Sequence, residues 1–149
     1  DESDVVTKAV NDTIDINFKG TVHCTREAVK LMNKSDDHCL IVNICSITGH
    51  SIPFEAHTMN VYQATKHAIR AFSEIIRQEL IVNGNDKIRV SNVSPGMVLT
   101  NLVPFQDDFL KRNKLLNPSD IADAIAYLLS TPVNVNVTEL MIKPVGERF

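Results

Sequence analysis

The sequence predicts an α/β fold built on parallel strands, and two features carry that prediction. Long segments with apolar residues at three- and four-residue steps alternate with short apolar runs, giving helix, strand, helix, strand, helix, strand. The first short run is continuous rather than alternating, as in a strand covered on both faces. Parallel neighbours need crossovers long enough to hold a helix, which this order provides.

The first helix is predicted from about Val5 to Met32. Val5, Val6, Ala9, Val10, Thr13, Ile14, Asn17, Phe18, Thr21, Val22, Thr25, Ala28, Val29 and Met32 form one face. Ser3 or Asp4 can cap its start, and the early acids suit the positive end of its dipole. It fades between Asn33 and Asp37, ahead of a strand from Cys39 to Cys45. A loop from Ser46 to Asn60, broken by Gly49 and Pro53, leads to a second helix from about Val61 to Val82. Its inward positions are predicted to be Ala64, Ala68, Ala71, Phe72, Ile75, Ile76 and Leu80. Asn83-Gly84-Asn85 ends it with residue types that tolerate a left-handed cap. The second strand, Ile88 to Ser94, stops at Pro95-Gly96. Beyond the stretch from Thr100 to Leu116, a third helix opens at Asn117-Pro118, with Asn as cap and Pro in the first turn, and ends before Pro132. Thr138 to Lys143 reads as the third strand. No repeat, low-complexity tract or linker divides the chain, so residues 1–149 read as one domain.

The composition excludes several classes of function. With 44% hydrophobic and 22% charged residues, the 149-residue chain has the balance of a soluble globular unit. A net charge of -3 without any dense Lys/Arg cluster argues against a nucleic-acid partner. No apolar run approaches the roughly 20 residues that span a bilayer. The acidic opening Asp1-Glu2-Ser3-Asp4 is unlike a signal or transit peptide. Three cysteines, Cys24, Cys39 and Cys45, with no C-x-x-C pair, fit reduced thiols in a cytoplasmic protein. Cys45, in an apolar run, reads as a packed side chain rather than a nucleophile.

Tyr62 and Lys66 stand four residues apart at the start of the second helix and share a face. A phenol titrates near 10, and a neighbouring ammonium favours the phenolate; a fall of about 2 units needs roughly 2.7 kcal/mol. The spacing alone is a weak signal and needs company. Ser46 supplies it, directly after the first strand, where a hydroxyl can donate to a substrate oxygen. Asn17 lies deep in the first helix, where Asn is a poor helix former, so it faces solvent or is held for a purpose. Ser94-Pro95-Gly96-Met97-Val98-Leu99-Thr100 closes the second strand with a turn whose backbone can approach a flat ligand closely.

These segments together resemble the short-chain dehydrogenase/reductase family, and the resemblance runs along essentially the whole chain. It rests on Asn17-Phe18-Lys19-Gly20, Ile41-Val42-Asn43-Ile44-Cys45-Ser46, Tyr62-Gln63-Ala64-Thr65-Lys66 and Ser94 to Thr100, in the family's order. Ser46-x-x-Gly49-His50, Arg77-Gln78-Glu79-Leu80 and Leu129-Ser130-Thr131-Pro132 look like the branch of dehydrogenase/reductase member 11 and the insect farnesol dehydrogenases. The resemblance implies the C-terminal part of a doubly wound, Rossmann-like parallel-sheet fold. It also implies a hydride-transferring oxidoreductase using NADP, with NAD possible, on an alcohol or ketone. Tyr62 would be the acid/base, Lys66 would tune it and bind the nicotinamide ribose, and Ser46 would orient the substrate oxygen. Asn17 would hold a proton-relaying water, while Pro95, Gly96, Val98 and Thr100 would line the nicotinamide. Pairing of the two long helices across a two-fold axis implies a homodimer or homotetramer, with Ala64, Ala68 and Ala71 allowing close approach. Phe105, Phe109, Leu110, Leu115 and Leu116 fall where the family has a lid, which would suit an apolar prenol or steroid-like substrate; satellite packing explains them equally well.

Two departures accompany the resemblance. Tyr62 follows Ser46 at a longer spacing than is commonest in the family, as in the narrower branch. The glycine-rich phosphate loop is absent from Gly20, Gly49, Gly84, Gly96 and Gly146, as is the Asn-Asn-Ala-Gly segment. Both precede this region in intact members, so the chain is expected to be a fragment with little dinucleotide affinity of its own and an exposed edge on its first strand. A catalytically silent association module is the competing reading. A serine hydrolase through Ser46 lacks the G-x-S-x-G elbow. His50 and His57, near Phe54 and Met59, are expected to be solvated loop residues, and their spacing suggests no metal site.

Overall fold

The computed structural model describes residues 2–52, 60–102, 108 and 113–147. Among these, helix α1 (Glu2–Ile14), a π-helical turn (Asp15–Lys19) and helix α2 (Gly20–Met32) form one rod. Strand β1 (Cys39–Ile44), a 3₁₀ turn (Ile47–Gly49), helix α3 (Tyr62–Val82), strand β2 (Ile88–Pro95), helix α4 (Pro118–Ser130) and strand β3 (Glu139–Ile142) follow. The predicted order of elements stands. The helix begins at Glu2, which puts Ser3 and Asp4 inside its first turn rather than at the cap.

All strand pairs are parallel, in the order β1-β2-β3. Ile41 pairs with Val90, Ile44 with Val93, and Pro95 with Ile142, so the strands end together at one edge. One face carries Ile41, Ile88 and Val90, packed with Leu80, Ile76, Val29 and Met32 of α3 and α2. Arg89 points to the opposite face, as strand alternation requires, and donates to the Leu128 and Thr131 carbonyls at the end of α4. Helices therefore cover both faces of a parallel sheet. Burial on both faces holds along the central strand β2 but not along β1, where Leu40 and Val42 are half-buried and Ile44 is 46% exposed.

The single long helical stripe is interrupted. The π-helical turn adds one residue to the ladder, which rotates the α1 stripe by about 100° relative to that of α2. Val5 and Val6, predicted to lie inward, are accordingly exposed, whereas Val22 and Val29 are half-buried and Thr25 is buried. Phe18, in the turn itself, meets Phe72 of α3 edge-to-face at 6.2 Å.

The inward face of α3 also differs from the expectation. Gln63, Thr65, Ile69, Ser73 and Leu80 are buried, while Ala64, Ala71 and Ile75 are exposed. The cause lies beneath the helix. Ser73 accepts a hydrogen bond from Asn43 Nδ2 and lies 2.8 Å from Asn92 Oδ1, so polar strand residues meet a polar helix face. Gly84, at φ 72°, supplies the left-handed residue that closes α3, with Asn85 N–H returning to the Leu80 carbonyl. At the start of α4 the Asp120 carboxylate accepts from the Asn117 N–H at 2.7 Å, ahead of Pro118.

Candidate active site

Ser46 leaves β1 in extended conformation and opens the 3₁₀ turn. Its oxygen accepts from the Thr48 N–H at 3.2 Å and from the Thr48 hydroxyl at 2.9 Å. A hydroxyl has two lone pairs and one proton, so this double acceptance leaves Ser46 free only to donate. Tyr62, the first residue of α3, has its phenol within hydrogen-bonding reach of that hydroxyl. Lys66, one turn on, places Nζ 5.5 Å from the centre of the Tyr62 ring and donates to the Ile44 carbonyl at 3.0 Å. The end of β1 and the start of α3 thus bring Ser46, Tyr62 and Lys66 together.

Two neighbours hold this arrangement in place. A Cβ on Gly49 would stand 2.7 Å from Cys45 Sγ and 2.9 Å from the Lys66 carbonyl oxygen, so only glycine lets the turn lie against α3. Asn17, in the π-helical turn, donates from Nδ2 to the Thr65 hydroxyl at 3.2 Å, and Thr65 donates to the Tyr62 carbonyl at 2.7 Å. Asn17 is therefore half-buried and turned toward α3 rather than toward solvent. Its own backbone carbonyl accepts from the Thr21 hydroxyl at 2.7 Å.

The electrostatics depart from the simple expectation for Tyr62. Burial pushes its phenol above the ordinary value of 10.0, and the Ser46 hydrogen bond only partly opposes this. Burial likewise disfavours the charged form of Lys66 and pulls its value below 10.5. Within these residues the phenol stays protonated, which suits a proton donor. Making it a base requires a further positive charge. Cys45 is buried, donates to the Lys66 carbonyl at 3.2 Å, and burial raises its thiol, so it is a packed side chain and not an activated nucleophile.

Pro95 ends β2, and Gly96, Val98 and Thr100 follow it at the same sheet edge. Gly96 N–H donates to the Ile142 carbonyl at 2.7 Å. Leu116 bonds the Met97 carbonyl and the Leu99 N–H, so the N–H and C=O of Val98 point to the other side. One donor beside one acceptor matches a carboxamide. Thr100 is exposed, and its hydroxyl accepts from the Leu102 N–H at 3.3 Å. These residues and Lys66 fit the nicotinamide end of a dinucleotide, while the chain has no glycine-rich cradle for its phosphates.

The short chain dehydrogenase family model matches residues 1–109. The chain belongs to that family. Farnesol dehydrogenase of Aedes aegypti is 39% identical over 140 residues, covering 94% of this chain and 56% of that protein. Dehydrogenase/reductase SDR family member 11 of Mus musculus is 35% identical over 149 residues, covering 93% and 56% respectively. Among solved structures, serine dehydrogenase from Escherichia coli superposes with a TM-score of 0.76 at 31% identity over 96% of this chain and 56% of that one. A closed form of serine dehydrogenase complexed with NADP+ gives 0.77 at 32% identity, over 91% and 56%. This short chain dehydrogenase chain spans little more than half the length of the relatives it matches. The three parallel strands with helices on both faces are the corresponding part of the doubly wound fold.

Sequence reasoning missed Thr48, Thr65 and Glu139. A Ser-x-Thr following a strand signals a local hydroxyl turn, so Thr48 was within reach of the sequence. Thr65 and Glu139 act on residues distant in the chain, for which no local signal exists. His50, expected to be solvated, is instead 2.9 Å from Ser94 Oγ. His57, Phe54, Met59, Phe105, Phe109 and Leu110 lie outside the described residues. Among the described residues, no helix is long and apolar enough to cross a membrane.

Proposed function

We propose that the protein carrying this chain is an NADP-dependent oxidoreductase, able also to use NAD, that interconverts an alcohol and its carbonyl partner. Residues 1–149 form the catalytic C-terminal part of a single domain in this reading. The observation that carries it is the convergence of Ser46, Tyr62 and Lys66 at the end of β1. Membership of the family and the NADP+ complex of a 32% identical structural neighbour support the cofactor.

When bound, the nicotinamide cofactor exchanges hydride with the substrate carbon. Tyr62 gives its proton to the carbonyl oxygen as the carbon becomes tetrahedral, or takes the proton back in the reverse direction. Ser46, restricted to donating by Thr48, orients the same oxygen. Lys66 binds the nicotinamide ribose and stabilises the Tyr62 phenolate once a second positive charge joins it. Asn17 holds a water that returns protons by way of Lys66. Pro95, Gly96, Val98 and Thr100 would line the nicotinamide side, with the Val98 backbone and Thr100 near the carboxamide.

The substrate is an apolar alcohol or ketone of prenol or steroid-like character, a reading supported by the 39% identity to farnesol dehydrogenase. Exposed Ala64, Ala71 and Ile75 on α3 support a homodimer or homotetramer through the long helices. Three free thiols fit a cytoplasmic setting. The decisive experiment replaces Tyr62 by Phe in the intact protein and follows NADPH oxidation with a panel of ketones and prenals. Turnover should vanish while the circular dichroism spectrum is unchanged; unaltered turnover refutes the proposal.

A further inference from the structure

A second polar cluster lies beside Ser46 and joins four separate elements. His50 Nε2, at the end of the 3₁₀ turn, is 2.9 Å from Ser94 Oγ in β2. Ser94, fully buried, donates to Glu139 Oε1 at 2.7 Å, at the first residue of β3. The same Glu139 oxygen is 3.3 Å from His50 Nε2, and Arg70 Nε of α3 stands 4.0 Å from the other oxygen. Asn92 pairs with Glu139 in the β2–β3 register, so Ser94 and Glu139 share the sheet face beneath α3.

The proton inventory of the cluster has one solution. A carboxylate only accepts, so the single Ser94 proton goes to Glu139. Ser94 can then offer only a lone pair to the imidazole, and Nε2 must carry a hydrogen. Within the turn, Gly49 N–H and Ser51 N–H return to Ser46 and Ile47 carbonyls, so these bonds fix its shape but not its placement. The His50 ring ties the turn to the sheet, one residue after Gly49 meets Lys66.

We infer that His50, held in its Nε2–H form between Ser94 and Glu139, is a positioning residue that fixes the turn carrying Ser46. This rests on the proposed function in assigning Ser46 to the substrate oxygen. It goes beyond it by giving His50, Ser94 and Glu139 a part in that placement. A turn displaced by about 1 Å misdirects the Ser46 proton and slows the chemical step, while the segment from Pro95 to Thr100 is left in place.

The test compares His50→Ala, His50→Gln and Glu139→Gln in the intact protein, alone and with Ser46→Ala. His50→Ala should lower kcat about tenfold with the KM for NADPH changed less than about twofold, and His50→Gln, which restores an amide donor near Nε2, should recover most of the loss. In the Ser46→Ala background His50→Ala should cost nothing more, because the two act through one group. Amide exchange at Gly49 and Ser51 should accelerate about tenfold in His50→Ala and Glu139→Gln. Ring ¹⁵N shifts should report the Nε2–H form. Equal losses with and without Ser46, unchanged amide exchange, or an Nδ1–H ring would each overturn the inference. If Tyr62→Phe retains full turnover, the proposed function fails instead, and the exchange and ring-nitrogen results still decide the placement of the turn.

Discussion

Gly49 and Lys66 are in backbone contact: a Cβ at position 49 would lie 2.9 Å from the Lys66 carbonyl oxygen and 3.1 Å from its carbonyl carbon. Neither atom can swing aside, because both belong to the backbone of α3. The turn that presents Ser46 and the helix that presents Tyr62 and Lys66 are therefore spaced by the absence of one methyl group. Gly49→Ala should lower stability by about 1–3 kcal/mol, the usual cost of overpacking. Turnover should fall further than stability, since Ser46 is displaced from Tyr62. Urea unfolding and ketone reduction on the same sample check both.

Thr48 makes Ser46 a donor by filling both of its lone pairs. Thr48→Val removes one of those bonds with little change of shape in a buried position. Stability should change by less than about 1.5 kcal/mol. The freed lone pair lets the Ser46 hydroxyl rotate, so kcat should drop roughly three- to tenfold with cofactor KM unchanged. Thr48→Ser keeps the hydroxyl and should restore the rate. Equal kinetics for the Val and Ser variants would remove Thr48 from the arrangement.

Alternation of elements, the strand ends at Ser46 and Pro95, the cap at Gly84 and the four-residue step from Tyr62 to Lys66 were all legible, because each depends on neighbours in sequence. The inward face of α3 was not. Apolar periodicity assumes an oily partner, and here the strands offer Asn43 and Asn92, so Ser73 and Thr65 turn inward and Ala64 and Ile75 turn out. The π-helical turn around Asn17 likewise leaves no trace in a count of three- and four-residue steps. Charge is legible only in part for a related reason: spacing brings Lys66 to Tyr62, but only the fold shows that burial pushes the phenol upward.

Ser73 connects Asn43 and Asn92 beneath α3, and all three are buried. The hydroxyl also lies 2.9 Å from the Ile69 carbonyl, so its one proton is shared between two acceptors. Ser73→Ala strands the Asn43 amide and deprives Asn92 Oδ1 of its donor. The expected loss is about 2–3 kcal/mol, read as a lower denaturant midpoint at unchanged slope. Substituting all three positions with apolar residues of similar shape should cost less than the single change, since no buried polar group is then left unpartnered.

Tyr62 and Lys66 impose opposite pH dependences on stability. The phenol holds its proton more tightly in the folded chain than its ordinary value of 10.0, so its contribution is complete below that pH and is lost as pH rises through the raised folded value. The ammonium holds its proton less tightly than its ordinary 10.5, so its contribution is present above 10.5 and is lost as pH falls through the lowered folded value. Urea midpoints measured from about pH 8 to about pH 11 should therefore fall more steeply above pH 10 in the natural protein than in Tyr62→Phe. The phenolate absorbance difference between the two proteins should likewise develop only above 10.0 in the absence of nucleotide. Adding the oxidised cofactor brings a positive ring toward Tyr62 and should move that absorbance to lower pH. A phenolate band already present near neutrality without nucleotide would mean that Lys66, and not burial, sets the proton affinity of Tyr62.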